Sequence, residues 1–192
     1  QSVEDITNGI RTLHKNGIRI HGMFVFGSDQ DTTDTIAETV RFAKKNDLES
    51  VQFLILTPLP GTQCYRDLDR EGRIITKDWS LYDAHHVVYE PKLMSYYQLQ
   101  NETMRATKEF YSLGAILKRA VRFDTFNVGV KTYGHNLTKK WIKKNQYFLE
   151  YTKALTDAGK RIELAAKTTA DDVKQKFREI ELAGGIPSHK CH

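Results

Sequence analysis

The chain has 192 residues, 40% hydrophobic and 28% charged, with a formal net charge of +5. That composition is ordinary for a soluble globular protein with one real core and room for an appendage. No window approaches the roughly eighteen consecutive apolar residues of a membrane-spanning helix. The two cysteines, Cys64 and Cys191, form neither a disulfide framework nor a metal-ligand spacing, so a reducing, cytoplasmic setting is expected. The start at Gln1 shows no basic-then-apolar leader and no initiator Met, and the chain reads as a piece of something longer.

Ser2–Asn16 reads as a helix. Val3, Ile6, Ile10 and Leu13 recur at helical spacing, Ser2 is an N-cap with Asp5 three residues on, and Asn16-Gly17 is a stop. Ile18–Phe26 reads as a strand in which Gly22 marks a bulge or a close neighbour. After the polar loop Gly27–Thr33, a helix runs to about Asn46 with Ile36, Val40 and Ala43 on one stripe. Thr32 or Thr33 caps it, and Asp34 and Lys44-Lys45 suit its dipole. Val51–Leu56, short, β-branched and aromatic, is expected to be a strand buried on both faces. Pro58 and Pro60 end it, because neither has an N–H to give a ladder. Strand, helix and strand at this spacing predict a right-handed crossover between parallel strands.

Beyond it, Gln63–Glu71 reads as a helix stopped by Gly72, and Val87–Tyr89 as a candidate last strand ended by Pro91. Ser95 to about Val121 reads as one long helix, Phe123–Tyr133 as irregular, Leu137–Ala158 as an amphipathic basic helix and Asp171–Leu182 as a short last helix. The expected division is an α/β part over 1–121 and a mainly helical extension over 122–192.

No nucleophile elbow, P-loop or dinucleotide fingerprint occurs. Asp29 and Asp31 follow a strand, where they either accept from a ribose or amine or cap the next helix. His85 and His86 are adjacent, so on extended backbone they point to opposite faces and cannot share an ion; at most one faces a site. Cys64 begins a helix, as a thiol of depressed pKa or as a plain buried one. His189, Cys191 and His192 hold ligand-type atoms at a terminus expected to fray. Much of the positive excess lies late, in Lys139-Lys140, Lys143-Lys144 and Lys160-Arg161, on a helical pattern with interleaved acids that suits a solvated helix face better than a nucleic-acid surface.

The strings Gly17–Gly27, Asp29–Thr32, Phe42-Ala43, Leu56–Thr62, Gly72–Ile74 and Asp78–Asp83, in this order, resemble the C-terminal half of a radical S-adenosylmethionine (radical SAM) enzyme barrel. The resemblance is to the subclass with a cobalamin-binding domain before the barrel, and it covers residues 1 to about 120. It implies the C-terminal part of a partial (β/α)₆ TIM-like barrel with parallel strands, followed by an α-helical tail. It also implies S-adenosylmethionine, a [4Fe–4S] cluster and cobalamin, the last two with ligands outside this chain. By the same carry-over Phe26, Gly27 and Asp29 lie near the adenosyl group, and Leu56, Thr57 and Pro58 lie against the adenine. The family's three-cysteine cluster motif is absent, so the chain reads as an inactive fragment of an enzyme that starts radical chemistry, a methylation or a rearrangement, on a small-molecule or lipid-like substrate. Trp79, Tyr82, His85 and His86 are candidates for the substrate side. The alternative is a non-catalytic α/β module whose basic helical tail binds nucleic acid or a protein partner.

Overall fold

The computed structural model describes residues 2–182. Helix α1 (Val3–Lys15) is started by a capping box. The Ser2 hydroxyl accepts the Asp5 N–H at 3.1 Å, and the Asp5 carboxylate accepts the Ser2 N–H at 2.9 Å. It ends at Asn16, and Gly17 reverses the chain at φ +73°. Strand β1 (His21–Phe26) follows, then α2 (Thr33–Lys45), capped by Thr32 in a box with Thr35, then β2 (Ser50–Ile55). The strands are parallel and in unbroken register from His21 opposite Ser50 to Phe26 opposite Ile55, the crossover that the spacing predicts.

The first strand is shorter than expected. Residues 18–20 stay outside the sheet, with the Ile20 N–H given to Glu49 at 2.8 Å, and Ile18 is exposed. Gly22 marks a close neighbour and no bulge: a Cβ there would come within 2.9 Å of Leu48 Cδ1 and Phe24 Cε2. The second strand is also not buried on both faces. Val51, Phe53 and Ile55 are buried beside Phe26, against Ile36, Val40 and Ala43 of α2, while Ser50, Gln52 and Leu54 are half-buried. On the same open face of β1, Met23 is 63% and Val25 55% exposed.

Helix α3 (Gln63–Arg70) and a 3₁₀ turn at Trp79–Leu81 lead into Val87–Tyr89, a fully buried run. That burial explains its apolar sequence, but it is no third parallel strand, since its sheet pairing is an isolated antiparallel bridge from Tyr89 to Ile74. The fold is therefore α/β with a two-stranded parallel sheet and many helices.

The expected long helix divides into α4 (Tyr96–Phe110) and α5 (Leu113–Val121), because Tyr111 leaves the helix and Ser112 caps a new one. The stretch expected to be irregular is helical: α6 runs Thr125–Lys144 from an Asp124 cap. The expected basic helix is broken at Asn145, after which α7 (Gln146–Leu182) also takes in the expected last helix. Residues to Thr152 make one compact unit, and a second begins at Lys153. His189, Cys191 and His192 lie outside the described residues. Among the described residues, no helix is long and apolar enough to cross a membrane.

Candidate functional site at the strand ends

Parallel pairing sets the C-terminal ends of β1 and β2 side by side, and the Leu56 N–H donates to the Phe26 carbonyl at 2.8 Å. In open and barrelled α/β sheets this is the end where ligands sit. The chain turns at Gly27, whose φ of +105° suits glycine. A Cβ there would also fall on the Tyr89 hydroxyl and within 2.8 Å of Leu99 Cδ2. The Tyr89 hydroxyl donates to the Gly27 carbonyl, and burial pushes its pKa upward, so it stays a donor.

The two loop carboxylates have separate tasks, and neither caps α2. Asp31 accepts the N–H groups of Gly27 (2.9 Å) and Ser28 (3.0 Å). Asp29 reaches out to Arg73 at 2.8 Å and Lys92 at 2.7 Å, and these hydrogen bonds, Arg73 first, hold it below the usual carboxylate range. Arg73 also pairs with Glu71 at 3.0 Å and donates from Nε to the Glu90 carbonyl at 2.7 Å, so the loop is tied to the segment around Tyr89. Tyr89, Arg73 and Lys92 are organisers that residue-level reading missed; they are distant from Gly27 in sequence and share no periodicity with it.

At the end of β2, Pro58 is fully buried, Leu56 and Thr57 are half-buried, and the Thr57 hydroxyl donates back to the Ile55 carbonyl at 3.1 Å. Phe26 and Gly27 are buried as well, whereas Asp29 is exposed. The six residues thus follow the two paired strand ends in sequence, three of them buried and three half-buried or exposed.

The other candidates disperse. Trp79 packs its ring, tilted, against Tyr82 at 4.8 Å and Tyr65 at 6.2 Å between centroids. His86 is buried between Trp141 and Phe148, with Nδ1 2.9 Å from Asp83 and Nε2 2.9 Å from the Asn145 side-chain oxygen. Burial works against the charge on Asp83, yet the N–H of His85 and the His86 ring outweigh it and lower its pKa. With both ring nitrogens engaged, His86 has none for a metal. His85 lines a separate, largely apolar cavity of about 430 Å³ with Gln52, Met104 and Trp141. The Cys64 thiol is pushed up, by burial first and then by Asp67 and Asp29, so the depressed-thiol option fails. Among the described residues, no group of three His, Cys, Asp or Glu side chains could hold a metal ion.

No family model matches the chain. It is 34% identical over 110 residues to a bacteriochlorophyllide d C-12(1)-methyltransferase of Chlorobaculum tepidum, a match covering 57% of this chain and 24% of that protein. It is 36% identical over 125 residues to the bacteriochlorophyllide d C-8(2)-methyltransferase of the same organism, covering 62% and 27%. A hopanoid C-2 methylase of Rhodopseudomonas palustris is 30% identical over 73 residues, covering 38% and 14%. The chain is a relative of radical S-adenosylmethionine enzymes. This radical S-adenosylmethionine relative spans about a quarter of the length of the first two proteins it matches.

Proposed function

We propose that the chain is the C-terminal part of a partial (β/α)₆ barrel in a radical S-adenosylmethionine enzyme, with residues 1–121 in the barrel and 122–192 as its helical extension. The observation that carries this reading is the parallel β1–α2–β2 unit, which sets the ends of β1 and β2 side by side, with Phe26, Gly27 and Asp29 leaving one and Leu56, Thr57 and Pro58 leaving the other. Three surfaces left open by the described residues support it: the stripe of Val3, Ile6 and Leu13 on α1, the sheet face of Met23 and Val25, and the outer edge of β1. In a barrel a preceding strand would pair with the edge, a neighbouring helix would pack on the α1 stripe, and the face of Met23 and Val25 would point into the interior.

In this reading the six residues form the adenosyl-side wall. Leu56 and Thr57 offer an apolar and a hydroxyl contact, Asp29 offers a carboxylate, and Phe26, Gly27 and Pro58 shape the wall from behind. The residues of this chain fit that nucleoside and do not fit an iron–sulfur cluster, since Cys64 is the free cysteine among the described residues. The cluster, and cobalamin if the subclass holds, take their ligands from the rest of the full-length protein. When bound, the cluster supplies the one-electron reduction of S-adenosylmethionine. The named relatives act on a bacteriochlorophyllide and a hopanoid, which supports methylation of a small-molecule or lipid-like substrate.

The coding sequence ahead of Gln1 tests the reading first: a Cys-x-x-x-Cys-x-x-Cys motif belongs within about two hundred residues, a domain's length, and its absence overturns the proposal. In the cluster-loaded full-length protein, Leu56→Arg is expected to weaken S-adenosylmethionine binding by about tenfold or more, roughly 1.4 kcal/mol. Equilibrium binding on a variant with unchanged circular dichroism checks this, and unchanged affinity removes Leu56 from the wall.

A further inference from the structure

A cavity of about 320 Å³ opens between the end of α2, the start of α5 and the middle of α6. Its wall carries Lys44, Lys118, Arg119 and Lys131 against one carboxylate, Asp47. Two of the four cations are compensated. Lys44 pairs with Glu109 at 2.8 Å, and Arg119 holds Asp47 and, at 3.2 Å, Asp124. Lys118 and Lys131 have no hydrogen-bond or ion-pair partner among the described residues.

Lys131 is the unusual one. It is only 3% exposed, with its ammonium 3.1 Å from the centroid of the Phe110 ring and 5.3 Å from that of Tyr111. Aromatic faces favour a cation but accept no hydrogen bond, so the ammonium of this cavity-lining lysine has no acceptor among the described residues. Burial, with the charge of Arg119 adding to it, pulls this ammonium down to about 7. A second donor set faces the same space. Ser112 caps α5 by accepting the Ala115 N–H at 3.3 Å, and Gly114 and Ala115 of the first turn line the cavity, where unpaired N–H groups and the helix dipole favour an anion.

We propose that this cavity binds a phosphate group, with Lys118 and Lys131 as its charge partners and the first turn of α5 as its backbone donors. Lys118 and, in its protonated form, Lys131 are two ammonium groups without a direct ion-pair partner among the described residues, which matches a doubly charged phosphate monoester better than a singly charged carboxylate. The group has two possible carriers. One is a free phosphate ester. The other is a lipid headgroup, since Leu113, Leu117 and Val121 form an exposed stripe on the same helix. The site lies at the end of the sheet away from Gly27 and is independent of the adenosyl-wall reading.

The test is titration of the 192-residue chain with inorganic phosphate by calorimetry, with thermal unfolding alongside. Saturable binding and a raised Tm are expected. A parallel arm with phosphatidylcholine vesicles, with and without phosphatidic acid, separates the lipid carrier from the free ester. Lys131→Met keeps apolar bulk over Phe110 and is expected to weaken binding by about tenfold or more, and exposed Lys118→Gln by about threefold. Failure to bind either phosphate or phosphatidic-acid vesicles overturns the proposal. So does binding by Lys118→Gln equal to that of the parent, a comparison that survives even if Lys131→Met does not fold.

Discussion

A lysine with 3% exposure and no acceptor is a standing cost to the fold, and its sign can be worked out. In the unfolded chain Lys131 titrates near the ordinary 10.5, and in the folded chain at about 7. Between those values the unfolded state carries one more proton than the folded state, so stability rises with pH across that window. Below about 7 both states are protonated and the cost is fully present. The groups that tune it are Arg119 and Lys44, which disfavour the charge, and Asp47 and Glu49, which favour it. Urea unfolding from pH 6.5 to 10 is therefore expected to show stability climbing in the parent and a flatter profile in Lys131→Met. A parent profile as flat as the variant's would mean that the ammonium is solvated in the folded state. Nothing local in the sequence marked this residue, because the rings that cover Lys131, Phe110 and Tyr111, belong to another stretch of chain.

At the scale of elements, the edge of β2 is closed by a side chain. The Tyr111 hydroxyl accepts the Val51 N–H at 2.9 Å and donates to the Val51 carbonyl at 2.8 Å, replacing one rung of a missing strand. Burial raises the phenol pKa, with the Val51 N–H acting against it, so the hydroxyl remains protonated and able to donate. Tyr111→Phe leaves both backbone groups of Val51 without that partner and is expected to cost about 1–3 kcal/mol. Exposed Tyr133→Phe is expected to fall within about 0.5 kcal/mol. Chemical denaturation of the pair measures the difference, and equal midpoints would show that water replaces the phenol.

The same contact explains where sequence reading stopped. Apolar spacing continues through Leu99, Phe110, Leu113, Leu117 and Ala120, so nothing announces a break. The helix ends because Tyr111 turns to Val51, sixty positions earlier. Gly129 and Gly134 make the following stretch look irregular, yet it is helix α6. A Cβ at Gly134 would come within 2.8 Å of Tyr111 Cγ, so that glycine serves ring packing. The elements with local signals were legible: α1 and α2 from their capping hydroxyls and apolar stripes, β1 and β2 from their apolar runs, the parallel crossover from its spacing. At the strand ends the glycine turn and the two prolines were legible. The partners of Asp29 were not, since Arg73 and Lys92 reach it only through the fold.

At the scale of the molecule, the first unit carries more apolar surface than its own elements cover. Met23 and Val25 stand on an open sheet face, and among the described residues no strand pairs with the outer edge of β1. Val3 at 67%, Ile6 at 43% and Leu13 at 40% exposure add an exposed apolar stripe on α1. An unprotected strand edge beside an apolar face is a template for pairing with another chain. Produced alone, the chain is therefore expected to self-associate with rising concentration, as read by sedimentation velocity. Met23→Lys with Val25→Lys places two charges on that face without entering the buried side of the sheet, and is expected to shift the population toward monomer with the thermal midpoint nearly kept. Joining the chain to the protein segment that precedes it should have the same effect, because a strand paired with β1 would cover the edge and closure of the barrel would turn the open face inward. A monomeric parent at high concentration would show that the surface is tolerated in water, and would remove the strongest structural support for further strands beside β1.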